Sequence, residues 1–327
     1  MSDRGAPWVL GVDSGGSGVR FALRRAEPGS PAEVVVSKEP VRTGPAGIDA
    51  GHLLGQLLPA VAELSLRTGA DRITAVAVGA AGMATLGAAL RAELPGALSA
   101  ALGVRRLALA ADAVTAYAGA LGPRPGAVVA AGTGMIALGT DLVHWRRADG
   151  WGHLLGDSGG GAWIGRAGLE AALRRHDGRP DGSAALLGRL EAVFGAPGEL
   201  PGLLYPRADR PAVLASFAPE VAACAGVDPV AAGILREAAR HIGATAAAVC
   251  PPDITGRPQV ALTGGLLKLG EPLLAPLRAE FARQLPRAVT VEAAGDPLDG
   301  ALLIAADLAH GASRLPPDDR MMWIATE

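Results

Sequence analysis

Apolar and polar positions along the chain follow two rhythms. Val9 and Leu10 close one β-type run, and Val19, Phe21 and Leu23 alternate with other residues in a second, the period of two that marks strands. Between them VLGVDSGGSGVRFAL carries one acidic residue and four glycines, so the pattern predicts a hairpin with a glycine-rich tip. EVVVS (Glu33 to Ser37) reads as a third strand, followed by a helix around Leu53 to Thr68 and a buried strand over Arg72 to Gly82. LRAELPGALSAALG has helical character broken at Pro95, and Arg105 to Leu121 runs from a strand into a helix. The pattern then restarts: Gly126 to Leu142 again gives a strand, a small glycine turn and a strand. From about Asp177 to Gly226 the chain reads as mostly helical, and Val260 to Gly270 as a strand passing through Gly264 and Gly265 into a helix. DPLDGALLIAADLAHGA predicts a final helix capped by Asp296 or Pro297, and the Pro-rich tail LPPDDRMMWIATE reads as peripheral. This order predicts a mixed α/β protein of two similar halves with a cleft between them.

Composition narrows the class. With 327 residues, 50% hydrophobic and 19% charged, the chain can build two globular domains. The formal net charge is −2 and Lys and Arg form no dense cluster, which argues against a nucleic-acid or membrane-surface partner and favours a small ligand. Cys224 and Cys250 are the two cysteines; without CxxC spacing they suggest neither a disulfide framework nor a cysteine-rich metal site. No basic-then-apolar leader is evident, and the apolar stretches are interrupted before the roughly 18 residues that a membrane span needs. The expectation is a cytoplasmic protein.

Three glycine-rich turns follow strands, at Ser14 to Gly18, Gly132 to Gly134 and Gly264 to Gly265. Glycine lets backbone N–H groups approach an anion closely, so each turn is either a plain structural turn or part of a phosphate cradle. No GxxxxGK[ST] occurs, and GVDSGGSG leads into a strand instead of a helix, which sets aside the Walker loop and the dinucleotide fingerprint. Asp13 stands where a magnesium ion would be placed. Asp112, in LALAADAVTAY, lies where a strand gives way to a helix, and it either caps that helix or takes a proton from an attacking hydroxyl. In Gly150 to Leu173 glycines and tryptophans alternate with His153 and Asp157. Trp151 and Asp157 either line a polar pocket with an aromatic wall or serve as core and helix cap. His153 has no partner at metal-ligand spacing.

Taken together, GVDSGGSG, AADAVTAY, AGTGM, GWGHLLGDSGGGAWIG, ALTGG and DPLDGALLIA resemble the N-acetylglucosamine kinase family, of the BadF/BadG/BcrA/BcrD-type ATPases within the sugar kinase, Hsp70 and actin superfold. The segments follow the family's order over nearly the whole chain, with GWGHxxGD the most specific. The resemblance implies an α/β fold of two RNase H-like domains around an ATP cleft, at about residues 1–120 plus 300–327 and 121–299. It implies ATP with Mg²⁺ as cofactors and phosphoryl transfer to an amino sugar such as N-acetylglucosamine or glucosamine, commonly at C6. By motif, Asp13 would help place magnesium through water. Gly15, Gly16, Ser17 and Gly18, with Thr133 and Gly134, would hold the phosphates, and Gly264 and Gly265 the adenosine. Asp112 matches the general base. Met135, Ile136, Gly150, Trp151, Gly152 and Asp157 fall on the sugar side. Sugar binding would draw the lobes together, and a homodimer is common among relatives.

Three positions depart from the family pattern. Gly47 replaces an Asn after the GP turn, Met135 replaces a polar residue after GTG, and Ser158 replaces a Glu after GD. Lost polar contacts of this kind shift substrate preference, so the acceptor could equally be glucosamine or N-acetylmuramic acid. An activator-type ATPase, as in benzoyl-CoA reductase activation, and a non-catalytic sugar or nucleotide sensor are the rival readings.

Overall fold

A computed structural model of the chain describes residues 5–16, 18–44, 47–252 and 256–326, so Ser17 of the first glycine turn lies outside the described residues. The chain divides into two compact units, Met1–Gly126 with Gly139–Trp145 and Glu292–Glu327, and Ala127–Leu138 with Arg146–Val291.

The first unit opens with the hairpin, β1 (Trp8–Gly15) and β2 (Gly18–Arg25), paired antiparallel down to Gly15 opposite Gly18. There follow β3 (Glu33–Ser37), the short β4 (Thr43–Gly44) and β5 (Gly47–Ile48), α1 (Ala50–Thr68), β6 (Ile73–Ala80), α2 (Met83–Leu86), α3 (Ala88–Leu102), β7 (Arg106–Ala111) and α4 (Asp112–Leu121). β6 runs parallel to both β1 and β7. Such inner strands are covered on both faces and therefore read as near-continuous apolar runs: Val9, Leu10 and Val12 of β1 and Ala75, Val76 and Ala77 of β6 are buried. α1 starts at Asp49, whose side chain accepts the His52 N–H, buries Leu53, Leu57 and Leu64 along one face, and stops at Gly69 in the left-handed conformation. α3 runs without a break through Pro95, contrary to the sequence expectation. Burial of Leu90, Leu94 and Leu98 along one stripe outweighs the single hydrogen bond that the proline removes.

The second unit contains most of β8 (Gly126–Ala131) and β9 (Met135–Thr140), then β10 (Trp145–Asp149), α5 (Gly161–His176), α6 (Ala184–Phe194), α7 (Leu200–Leu204), α8 (Arg210–Ala215), α9 (Ala218–Cys224), α10 (Pro229–Val249), β11 (Gln259–Thr263), α11 (Glu271–Gln284) and β12 (Val289–Glu292). Its sheet has the order β10-β9-β8-β11-β12. Val129, Leu169, Leu186, Phe217, Leu235 and Val260 meet in its core, where Cys224 and Cys250 are buried as free thiols. Beyond β11 the chain makes a 3₁₀ turn over Gly265–Leu269, and the α-helix begins only after Gly270, whose φ of 71° interrupts the backbone.

The chain then returns to the first unit through α12 (Pro297–Ala309) and β13 (Met322–Thr326). α12 starts from a capping box made by Asp296 and Asp299 and buries Leu298, Leu302 and Leu308. It crosses α4 at glycines: a Cβ on Gly300 would collide with the Thr115 carbonyl, and one on Gly119 with that of Asp296. The tail is not peripheral. β13 pairs antiparallel with β7 and completes the sheet order β13-β7-β6-β1-β2-β3. It covers an edge that β7 would otherwise leave open, and it buries Met322 completely.

Candidate functional site

In the first unit the candidate residues gather at one end of the sheet. The register aligns Ser14, Ala80 and Ala111 across β1, β6 and β7, so Asp13 and Asp112 both lie at the carboxyl ends of parallel strands, where α/β sheets present their ligand sites. Beyond them the hairpin tip is open, with no atom within 4 Å of a Cβ built on Gly15 or Gly16. Gly18 differs from these two in its surroundings. Its φ is 140°, and a Cβ there would strike the Ser37 carbonyl oxygen, so glycine lets β3 pass the tip.

Asp13 is 16% exposed and is held by Arg20 on the facing strand: its Oδ2 accepts from Arg20 Nε at 3.0 Å and Nη2 at 2.7 Å. Arg20 Nη1 donates to Asp296 Oδ2 at 2.5 Å, while Asp296 Oδ1 accepts from the Leu298 and Asp299 N–H groups. One guanidinium thus joins the Asp13 carboxylate to the cap of α12. Burial alone would raise the Asp296 carboxyl, but its bonds to Arg20 and to the Asp299 N–H outweigh that and hold it below the ordinary carboxylate range. Sequence reading treated Asp296 as a possible cap and passed over Arg20. Their link spans 276 residues, and no local signal announces it.

Asp112 does not cap its helix. Ala111 is the N-cap residue, and Asp112 is the first residue of α4, exposed, with Oδ1 accepting from the Ala113 N–H at 2.9 Å. A negative charge at this position is stabilised by the helix dipole. Gly47 lines a cavity of about 330 Å³ with Arg42, Thr43, Asp49 and Glu93. At a φ of 100° against the Leu86 carbonyl it cannot carry the Asn side chain of the family pattern.

In the second unit the Gly132–Gly134 turn sits on the start of α5, where the Gly161 and Ala162 N–H groups donate to the Gly132 and Thr133 carbonyls, each at 2.8 Å. Thr133 is exposed. Asp157 packs against the turn so closely that a Cβ on Gly134 would collide with its Oδ2. Its carboxylate accepts the Gly152 N–H at 3.1 Å and faces the Met135 N–H. Burial, assisted by the charge of Asp149, raises the Asp157 carboxyl above its ordinary value against those two N–H groups and His153. Asp157 does not cap α5 either; Gly160 occupies that position.

The loop between β10 and α5 is folded by Asp149, a residue absent from the sequence reading. Asp149 and Asp157 both have left-handed backbones, at φ 59° and 55°, and Asp149 Oδ1 and Oδ2 accept the N–H groups of Asp157 at 2.6 Å and Ser158 at 3.0 Å. The signal was an Asp directly before Gly150, a combination that bonds its own downstream backbone and tolerates this conformation. The same loop leaves Trp151 66% exposed, with the Arg147 guanidinium 4.8 Å above its ring. Gly150 and Ile136 are in contact, and Gly152 leaves open space around it. Met135 departs from the sugar-side expectation. At the start of β9 its side chain turns into the core and Ile136 turns outward, as strand alternation requires, so Met135 offers only its backbone. Gly264 lies against the Ala131 carbonyl at the end of β8, and a Cβ on Gly265 would meet open space. Among the described residues no three His, Cys, Asp or Glu side chains gather to hold a metal, and no single helix is long and apolar enough to cross a membrane.

Residues 10–305 match the BadF/BadG/BcrA/BcrD ATPase family. The chain is 30% identical over 199 residues to the N-acetylmuramic acid/N-acetylglucosamine kinase of Clostridium acetobutylicum, an alignment covering 59% of this chain and 65% of that relative. It is 29% identical to the solved structure of a candidate N-acetylglucosamine kinase of Chromobacterium violaceum, covering 91% of this chain and 98% of that one with a TM-score of 0.67. The ROK family glucokinase of Streptomyces griseus, at 23% identity and a TM-score of 0.55 over 93% of this chain and 100% of its own, shares the fold. The fold is thus the two-domain α/β fold of the sugar kinase, Hsp70 and actin group, and the chain belongs to the BadF/BadG/BcrA/BcrD ATPase family.

Proposed function

We propose that the protein is an ATP-dependent kinase that transfers the γ-phosphoryl group to a hydroxyl of an amino sugar, at C6 of N-acetylglucosamine or glucosamine. The observation that carries this reading is the placement of Asp13 and Asp112 at the carboxyl ends of β1 and β7 beside the open Gly15–Gly16 tip. The names of the Clostridium and Chromobacterium relatives support the substrate class.

Asp13 suits magnesium. The ion keeps most of its waters and needs one or two carboxylates besides the nucleotide's phosphates, and Asp13 is a single, mostly buried carboxylate held in place by Arg20. When bound, magnesium would neutralise charge developing on the transferring phosphoryl group. The backbone at Gly15 and Gly16 and the Thr133–Gly134 turn would bind the phosphates, and Gly264 and Gly265 the adenosine. On the sugar side, Asp157 has about four acceptor positions as a carboxylate, and after Gly152 and Met135 it would still accept from a sugar hydroxyl. Trp151 would offer an aromatic face, as sugar sites do. Asp112 would take the proton from the acceptor hydroxyl as that oxygen bonds to the γ-phosphorus and the bond to the β–γ bridging oxygen breaks, leaving ADP. The activator-type alternative finds its two cysteines buried in the core of the second unit.

The test is Asp112→Asn, which keeps size and shape. ATP binding should be unchanged by calorimetry while turnover falls about 100-fold or more, the scale of a lost general base. Unaltered turnover would remove Asp112 from the mechanism.

A further inference from the structure

Four residues beyond Arg20 on β2, and so on the same side of the strand, stands Arg24. Arg20 is held by two carboxylates. Arg24 is half-buried, with its Nε sealed from solvent without a partner, and among the described residues its guanidinium makes no hydrogen bond. Burial of this head lowers its proton affinity, and the charge of Asp299 offsets that only in part. The sealed Nε is out of a ligand's reach, but Nη1 and Nη2 are not sealed in this way, so they are the donors that the guanidinium can offer.

Arg24 lines a cavity of about 380 Å³, large enough for a small metabolite. The cavity lies where α4 and α12 end, walled by Leu121, Leu303 and His310, and Arg124 and Arg314 line it as well. The carboxylates on its wall are Glu27 and Asp307, and Asp307 is already bound by Arg314 at 2.8 Å. Asp112 stands at the opposite end of α4, a helix of 10 residues and hence about 15 Å long. The cavity is therefore separate from the carboxyl-end site on the sheet.

We propose that this cavity binds a small phosphomonoester, its phosphate held by Arg24 and Arg124 and its carbon skeleton lying against Leu121 and Leu303. A guanidinium fork matches phosphate oxygens with paired, charge-assisted hydrogen bonds, and a dianion suits two guanidiniums that lack a bound carboxylate. The binding site is independent of the kinase reading.

Calorimetry on the full chain, with a non-hydrolysable ATP analogue kept saturating, tests the proposal with glycerol 3-phosphate and inorganic phosphate as probes. Glycerol 3-phosphate should bind saturably, at least about 10-fold more tightly than inorganic phosphate, and Arg24→Met and Arg124→Gln should each weaken it by about 10-fold or more, one charge-assisted contact's worth. Without ligand, Arg24→Met should raise the Tm, because an apolar side chain replaces a desolvated, unpaired cation, and glycerol 3-phosphate should no longer raise it further. Binding indifferent to both substitutions, or no saturation up to about 10 mM, overturns the site. Equal affinity for the two probes overturns the seat assigned to the carbon skeleton.

Discussion

At the scale of single residues, Asp157 links two features of the second unit, the Gly132–Gly134 turn and the loop that exposes Trp151. Its raised carboxyl makes the pH dependence specific. As a carboxylate it accepts from a sugar hydroxyl more strongly than as a neutral acid, so kcat/KM for the sugar should fall on the acid side with a midpoint above the ordinary Asp value of about 3.9. Asp157→Asn keeps the shape, and it should raise the sugar KM by roughly 10-fold or more, the worth of a charge-assisted hydrogen bond, while leaving the KM for ATP near its original value. It should also remove the Asp157 contribution to that acid limb, leaving the part set by the Asp112 base. A pH series on both proteins checks this, and an unchanged sugar KM would assign Asp157 to loop folding alone. Asp13, Asp112 and Asp157 were visible in the sequence because each sits beside a glycine turn or at a strand end. Asp149 and Arg20 were not, because the partners that give them meaning are set by the fold.

At the scale of elements, α12 carries more than its length suggests. It packs on β1 and α4, and its Asp296 cap reaches Asp13 through Arg20. Asp296→Ala should lower the unfolding free energy by about 1–2 kcal/mol at neutral pH, as for a lost N-cap. The sign with pH follows from the depressed carboxyl. The Asp296 contribution is complete above the unfolded value of about 3.9 and is lost as pH falls through the lower folded value, so wild type and variant should converge in acid. Urea denaturation at neutral and acidic pH measures the difference, and a gap that stays constant into acid would contradict this role. The hairpins and most long helices were legible from periodicity alone. Pro95 misled because a local rule about proline was weighed without the leucine stripe that α3 buries. The tail misled because MWIAT is short and follows prolines, and only the open edge of β7 explains why it becomes a strand.

At the scale of the molecule, the sequence shows the same strand, glycine turn, strand beginning twice, at β1–β2 and β8–β9, and the structure builds one sheet on each. This repetition made the fold class readable from one chain. The acceptor is less legible. At Gly47 the backbone forbids a side chain, and at Met135 the side chain belongs to the core, so two of the three departures from the family pattern are matters of packing as much as of recognition. The most direct measurement is ADP release with Mg-ATP against glucosamine, N-acetylglucosamine, N-acetylmannosamine, N-acetylmuramic acid, glucose and no sugar. The account predicts turnover that depends on an amino sugar, highest with glucosamine or N-acetylglucosamine, and a product phosphorylated at C6. ATP hydrolysis indifferent to every sugar would contradict it.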